Sequence, residues 1–404
     1  MRFAAQSSVL ILLFFLTTIS LLIWCVLAFF RGGFWQVQRF NRDLQSIDAL
    51  AAWPRVLAIV PARNEADTIA RVADSLLKQG YRGEYRTIIV DDHSEDSTAS
   101  LALAAARSAG GVERLTVVSA ETLPKEWTGK LWAMQQGVES GTKFAPDYFW
   151  FTDADILHAP DTLQRLVSRA EEQNLDLTSL MVLLQTKSIA ERLLIPAFLY
   201  FFLKLYPPQW IADIKAKTAG AAGGCVLLRQ AALLRIGGLA AIRAEVIDDC
   251  ALARAVKRSG GAIWMGLTRK SVSLRAYTSF GEIRDLIART AFTQLGYSAL
   301  VLLGTLLGML LTYVAPVAFA FSTQPILWRV GLAAWALMTI TYLPTVRFYG
   351  LSPLWAPALP LAAMFYSYAT WVSAIRYWLG KGGQWKGRAQ APPSWGSESD
   401  QSRN

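Results

Sequence analysis

The sequence predicts an α/β domain with a mostly parallel sheet, held between apolar segments at both ends of the chain. Three observations predict it. Long uncharged runs occur near the two ends. The middle alternates short apolar runs with amphipathic stretches. Acidic residues gather just after the strand-like runs. The 404 residues are 53% hydrophobic and 17% charged, which excludes a disordered chain. Three cysteines in this length exclude a disulfide scaffold.

The elements follow in order. Val9 to Phe30 carries no charge, and at about 1.5 Å per residue it can cross a hydrocarbon core of about 30 Å. It ends Ala28-Phe29-Phe30-Arg31, without the small-residue site of a signal peptide, and so reads as an uncleaved anchor. Arg31, Arg39 and Arg42 follow the run and only Arg2 precedes it, which places the next domain in the cytoplasm. In the middle, Val56 to Val60, Thr87 to Val90, Leu115 to Val118 and Tyr148 to Thr152 read as strands. Ala66 to Gln79, with Ile69, Val72, Ala73, Leu76 and Leu77 at helical spacing, and Ser97 to Ala109 read as helices. Strand-helix alternation gives the parallel sheet.

Toward the other end, Ser298 to Phe321, Val330 to Val346 and Tyr349 to Ile375 are uncharged. The expected organisation is an anchor over 1–42 (helix about 9–30), a catalytic-sized domain over 43–297, and membrane segments over 298–380. Those segments run at about 298–321, 326–346 and 351–375, and a basic, then disordered tail covers 381–404. Three crossings would put the tail opposite the domain, yet Arg376, Lys381, Lys386 and Arg388 argue for the same side. The last segment, with Pro353, Pro357 and Pro360, is the one expected to be re-entrant or interfacial. The apolar stretch 193–211, interrupted by Lys204 and three prolines, is expected to lie in the membrane interface. A buried core helix is the competing reading. The net charge of +10 suits anionic lipid better than nucleic acid.

Ligands of open α/β sheets bind beyond the carboxyl ends of the strands. There the sequence places Pro61 to Glu65, Asp91 to Thr98, and Asp153-Ala154-Asp155. Asp91, Asp92, Asp153 and Asp155 would gather at one edge, where a hard divalent cation bound to phosphate oxygens offsets their repulsion. Each Asp alone is as readily a turn or helix-cap residue. His158, just past the Asp pair, is a candidate metal-proximal group. No Gly-x-Gly-x-x-Gly or Gly-x-x-x-x-Gly-Lys-Ser/Thr follows a strand, which argues against a dinucleotide or P-loop enzyme.

Pro61-x-x-Asn64-Glu65, Val90-Asp91-Asp92-x-Ser94-x-Asp96-x-Thr98 and Asp153-x-Asp155, in this order, resemble glycosyltransferase family 2 over about residues 55–270. The resemblance implies a GT-A fold, a UDP-sugar donor, a divalent metal (Mg2+ or Mn2+) and inverting displacement. It implies that Pro61 and Glu65 line the nucleoside pocket and that Asp91 and Asp92 hold the base and ribose. Asp153 and Asp155 would meet the metal and diphosphate. Lys130, in Trp127-Thr128-Gly129-Lys130, would neutralise phosphate charge, with an exposed lysine at a helix start as the competing reading. The acidic pair on the acceptor side is matched by Asp248-Asp249, with Asp in place of Glu at its first position, and the base role falls to Asp249. Gly223 to Gly238 matches the acceptor-side segment, although Gly237-Gly238 also reads as a plain helix cap.

The Gln/Arg-x-x-Arg-Trp motif of processive synthases is missing, and Arg289 to Gln294 stands in its place, which favours transfer of a single hexosyl or N-acetylhexosaminyl unit. More closely, the chain resembles the hopene-associated glycosyltransferases of bacterial hopanoid gene clusters. The residues behind this are Pro124-x-x-Trp127-Thr128-Gly129-Lys130-x-Trp132-Ala133, Arg289 to Gln294, and Gly383 to Arg388. This implies a multi-pass protein of the bacterial inner membrane acting on a hopanoid-related lipid. A polyprenyl-phosphate acceptor and an inactive membrane scaffold are the alternatives. A transporter is disfavoured by the scarcity of ionisable residues in the apolar runs.

Overall fold

The computed structural model describes residues 2–40, 50, 52–380, 384–385 and 388–389. Arg42, Lys381, Lys386 and most of the expected tail lie outside the described residues. The principal elements are α1 (Arg2–Phe30), β1 (Val56–Ala62), α2 (Ile69–Leu77), β2 (Tyr85–Asp91), α3 (Thr98–Ser108) and β3 (Leu115–Ser119). There follow α4 (Gly129–Ser140), β4 (Tyr148–Thr152), β5 (Ile156–His158), α5 (Thr162–Glu172), β6 (Leu177–Leu183) and α6 (Ile189–Leu205). Then come β7 (Cys225–Arg229), α7 (Asp248–Arg258), β8 (Ile263–Ser273), α8 (Phe280–Ala288), α9 (Ala299–Met309), α10 (Pro325–Phe348) and α11 (Leu359–Trp378).

One sheet runs in the order β3-β2-β1-β4-β7-β6-β8-β5. The half β3-β2-β1-β4 is parallel, as the strand-helix alternation predicts. Beyond β4 the sheet is mixed: β7 runs antiparallel to β4 and β6, β8 is parallel to β6, and β5 is antiparallel to β8. The expectation of a mostly parallel sheet therefore holds for one half. In the mixed half, α5 and α7 still precede β6 and β8, but β7 and β5 run against their neighbours, which alternation along the sequence does not reveal.

Successive residues of β1 face opposite sides of the sheet. Val56, Ala58 and Val60 join α2 and α5 in one core, and Leu57 and Ile59 join α4 and α6 in the other. That second core continues into the apolar helices, through Tyr200 and Phe201 of α6 to Tyr313, Met338, Tyr342 and Tyr366. The apolar stretch 193–211 is thus accounted for by packing: Leu194, Ile195, Ala197, Leu199, Tyr200 and Leu203 of α6 are fully buried. A capping box starts this helix, with Glu191 N–H donating to Ser188 Oγ at 3.0 Å and Ser188 N–H donating to Glu191 Oε2 at 2.8 Å.

Four helical segments are long and apolar enough to cross a membrane: Leu10–Phe30, Ala299–Ala320, Pro325–Phe348 and Pro353–Trp378. The second contains a π-turn over Leu310–Val314. Ser20 Oγ and Trp24 Nε1 of α1 donate to Leu311 and Thr312 carbonyls in this turn, at 2.9 and 2.7 Å. After Phe30 the chain turns at Gly32 and Gly33, with φ of +57° and +55°, and packs on Pro207 and Trp210. A Cβ at Gly32 would come within 3.0 Å of both residues.

The last segment leaves the sheet domain and returns to it. The carbonyls of Arg347 and Phe348 accept from Arg269 at the end of α10. Halfway, the Pro357 carbonyl accepts from Trp335 Nε1, at mid-length of α10. At its other end, Ser373 Oγ donates to Ala288 O and Arg376 pairs with Asp285 of α8 at 2.6 Å. Pro353 and Pro360 fit because they open the 3-10 turn and α11, where a missing N–H leaves no bond unmade, while Pro357 lies inside the 3-10 turn.

Candidate active site

The loops after β1 and β2 are stitched together by the polar residues between them. Asn64 N–H donates to Ser94 Oγ at 2.9 Å, and Glu95 N–H to Asn64 Oδ1 at 2.9 Å. Glu65 N–H donates to Thr98 Oγ1 at 2.8 Å, and Ala66 N–H to Asp96 Oδ2 at 3.1 Å. Ser94, Asp96 and Thr98 therefore shape the loops, as turn and cap chemistry predicts for them. Asp91, opposite Ala62 in the register, and Asp92 are buried at the end of β2. Asp91 Oδ1 is buried with no hydrogen-bond partner.

A cleft of about 300 Å³ lies beyond the strand ends and brings together Pro61, Glu65, Lys130, Asp153, Asp155, Asp248 and Asp249. Asp91 and Asp92 lie one strand over and do not line it. Lys130, in the first turn of α4, reaches Asp153 Oδ1 at 2.9 Å and Asp248 Oδ2 at 3.1 Å. Burial alone would lower the pKa of its ammonium, but Asp153 and Asp248 outweigh burial and raise it. Burial likewise pushes Asp153 up, and Lys130, with Arg289 and Arg275 beyond it, brings it below the ordinary carboxylate range.

Asp248 and Asp249 open α7, where the exposed N–H groups of a helix start favour anions. Asp249 accepts from Gly223 N–H at 2.8 Å and Cys250 N–H at 2.7 Å. Burial first, and then Asp248 beside it, push its pKa up to about 6. Gly223 is a glycine for a steric reason: a Cβ there would stand 3.2 Å from Asp249 Oδ2 and 3.3 Å from Lys130 Nζ. Gly237 and Gly238, by contrast, only cap the short helix Gln230–Arg235, with φ of +85° and +76°.

Asp155 accepts from Ser273 Oγ at 3.0 Å and faces Arg275 Nε at 3.8 Å; Arg275 also pairs with Glu65 at 3.3 Å. Burial and Asp153 raise its pKa against these partners. Ser273 and Arg275 escaped the sequence reading, and Arg289 entered it only as the start of a motif stretch. The signal for the first two was present, since they end β8 and follow it, but that strand was not recognised.

His158 does not join the site. Its Nδ1 and Nε2 are each 2.8 Å from a hydroxyl, of Ser271 and Thr152 respectively, in the core beside Trp150. With both ring nitrogens engaged it has none to offer a metal, and burial lowers its pKa to about 3. Among the described residues no group of three or more His, Cys, Asp and Glu side chains could hold an ion. Asp153 and Asp155 both line the cleft, and two carboxylates there would suit a divalent ion whose remaining positions go to diphosphate oxygens.

The other wall of the cleft is apolar, built by Met181, Val182 and Leu184 from the end of β6, Phe198 and Phe202 of α6, and Leu286 of α8.

Residues 57–237 match the family model described as glycosyl transferase family 2. No curated protein matches the chain. Among solved structures, the chain is similar to the mannosyltransferase PcManGT from Pyrobaculum calidifontis in complex with GDP-Man and Mn2+, at 18% identity and a TM-score of 0.51. That likeness covers 87% of this chain and 99% of that one, so the shared fold reaches beyond the sheet into the apolar helices. It is also similar to glucosyl-3-phosphoglycerate synthase from Mycobacterium tuberculosis in complex with Mg2+ and uridine-diphosphate, at 18% identity over 60% of this chain and 80% of that one, with a TM-score of 0.39. The sheet order, the strand-end acidic residues and the match of residues 57–237 to the glycosyl transferase family 2 model agree on a GT-A fold for the sheet domain.

Proposed function

We propose that the protein transfers a single sugar from a UDP-sugar to the hydroxyl of a membrane lipid, with inversion at the anomeric carbon. One observation carries this reading. A single cleft has a charged floor, with Lys130 between Asp153 and Asp248, and an apolar wall formed by helices that pack on the membrane-type segments.

On the donor side, Asp91 Oδ1 awaits an N–H donor, which the imide of uracil supplies. Asp92, Pro61 and Glu65 complete the nucleoside end by resemblance to the family. A divalent ion, Mg2+ or Mn2+, held by Asp153 and Asp155 would neutralise the diphosphate as it leaves. Lys130 adds positive charge to the same floor, where little water screens it. Displacement passes through an oxocarbenium-like state. Asp249, poised near 6 and fixed by two backbone N–H groups, takes the proton of the acceptor hydroxyl. Asp248 holds Lys130 in place and keeps Asp249 basic.

The acceptor's apolar part lies against Phe198, Phe202 and Leu286. A hopanoid-related lipid is the reading that the motif resemblance favours. The setting is the bacterial inner membrane with the sheet domain in the cytoplasm. There the last segment dips in and returns, leaving Arg376 on the domain's side. A polyprenyl phosphate is the second reading, and Asp249 argues against it, because a phosphate arrives ionised and needs no base. An inactive scaffold would have no use for a poised carboxylate.

The test is calorimetric binding of UDP to the purified protein, with and without Mn2+, for the wild type and Asp155→Ala. Metal-dependent binding weakened by the substitution supports the donor site. UDP binding that ignores both metal and substitution would remove the metal from the reading, and failure of every nucleotide to bind would leave the scaffold.

A further inference from the structure

Outside the cleft, one pair of cations takes no part in the chemistry above. Lys204, near the end of α6, is half-buried, and its ammonium donates to the Tyr313 hydroxyl at 2.8 Å. It also lies over the rings of Phe201 and Tyr313, 5.3 and 4.9 Å from their centroids. Arg31, directly after α1, donates to the Lys204 carbonyl at 3.0 Å and stacks on Trp210 at 4.7 Å. Among the described residues, no carboxylate pairs with either cation.

Arg31 has a structural use, since its guanidinium caps the last carbonyls of α6. Lys204 does not share that excuse. An aromatic and aliphatic surround would accept a neutral side chain more cheaply than an ammonium with one hydrogen bond. Burial, and then Arg31 beside it, hold the ammonium down to about 8, as befits a cation lacking its anion.

Location identifies the anion. Arg31 marks the point where an apolar helix meets the sheet domain, with Trp210 stacked on it and Trp35 bonded to the Ala28 carbonyl close by, as aromatic residues sit at a bilayer surface. Leu22, Val26, Phe29 and Phe30 of α1 are exposed just beyond it, ready for acyl chains. Ile214 is exposed a few residues past Trp210, followed by the exposed Lys215 and Lys217. Basic pockets between membrane helices at this depth take lipid headgroups. We propose that Lys204 and Arg31 form a binding site for the phosphate of an anionic membrane lipid, held beside the catalytic domain and separate from the acceptor cleft.

The full chain, reconstituted in phosphatidylglycerol or phosphatidylcholine bilayers and then released into mild detergent, is analysed by native mass spectrometry for retained lipid. The wild type should keep one phosphatidylglycerol in preference to phosphatidylcholine. Lys204→Met should lower that retention about tenfold, the loss of one charge-assisted hydrogen bond, and Lys204→Arg should restore it. Arg31→Gln, which keeps the bond to the Lys204 carbonyl while removing the charge, should also lower retention, and it stands in if Lys204→Met fails to fold. Equal retention of the two lipids, or undiminished retention in the charge-removing variants, overturns the site. Displacement of the lipid by millimolar inorganic phosphate would show a site for soluble phosphate and overturn the lipid assignment. A protein that inserts into neither bilayer overturns the membrane reading and the site with it.

Discussion

The two halves of the sheet do different work and are built differently. The parallel half, β3-β2-β1-β4, carries the loops that hold Asp91, Asp92 and Asp153, and its loops are fixed by polar side chains bonded to backbone. The mixed half, β7-β6-β8-β5, brings Asp155, Arg275 and the apolar wall, and leans on α6 and α8 for its shape. On the function proposed above, donor recognition would depend on short local motifs, and acceptor recognition on long-range packing between the sheet and the apolar helices. Lys130 joins the two by touching an acid from each side, Asp153 and Asp248.

The comparison is sharpened first at the base. Asp249→Asn should reduce transfer to a hydroxyl acceptor by about 10²–10⁴-fold while leaving UDP affinity unchanged, as read by transfer assay and calorimetry. Retained transfer to a polyprenyl phosphate by this variant would instead favour the phosphate acceptor. The same residue sets the pH response. With its pKa near 6, the wild-type rate should fall as the pH drops below about 6, because a protonated Asp249 cannot accept the hydroxyl proton.

Lys130→Met should come next, lowering turnover by about 10²–10³-fold, the scale of losing one electrostatic stabiliser. Because the lysine serves both halves, its loss should also leave Asp153 and Asp248 repelling uncompensated neighbours, and the thermal midpoint should fall. Asp91→Ala should affect only the donor half, weakening UDP by about tenfold to a hundredfold with acceptor KM unchanged. Phe202→Ala should do the reverse. It should cost about 1.5–3 kcal/mol of acceptor binding, seen as a lower kcat/KM for lipid with donor affinity intact. If Phe202→Ala weakened UDP as much as lipid, the division between the halves would be wrong. The smallest expected effect is at the helix that positions the wall. Ser188→Ala removes the cap of α6 and should cost about 1 kcal/mol of stability, measured by denaturant unfolding.

Much of the donor half was legible from the chain. The runs Val56–Val60, Thr87–Val90, Leu115–Val118 and Tyr148–Thr152 became strands within a residue or two, because each is followed by an amphipathic helix or a turn that marks its end. The acceptor half was less so. Ile156–His158, Leu177–Leu183 and Ile263–Ser273 pair through contacts distant in sequence, and no local period announces them. The stretch 193–211 had the composition of an interfacial helix, and composition alone does not tell a bilayer from a protein core as the partner of an apolar face. The odd number of membrane segments and the basic tail were in conflict in the sequence. The contacts of the last segment with α8, through Arg376, Asp285 and Ser373, are ones that no hydropathy reading could have paired.

By itself, the sequence determined which residues are apolar, where the strands of the parallel half and their helices begin, and the order of acidic motifs, since these depend on neighbours a few positions apart. Only the tertiary structure decided that Lys130 bridges Asp153 and Asp248, that His158 is a core residue, and that an apolar wall faces the acids. Those outcomes depend on side chains separated by tens to hundreds of positions, and their burial and charge exist only once the sheet and the helices have packed.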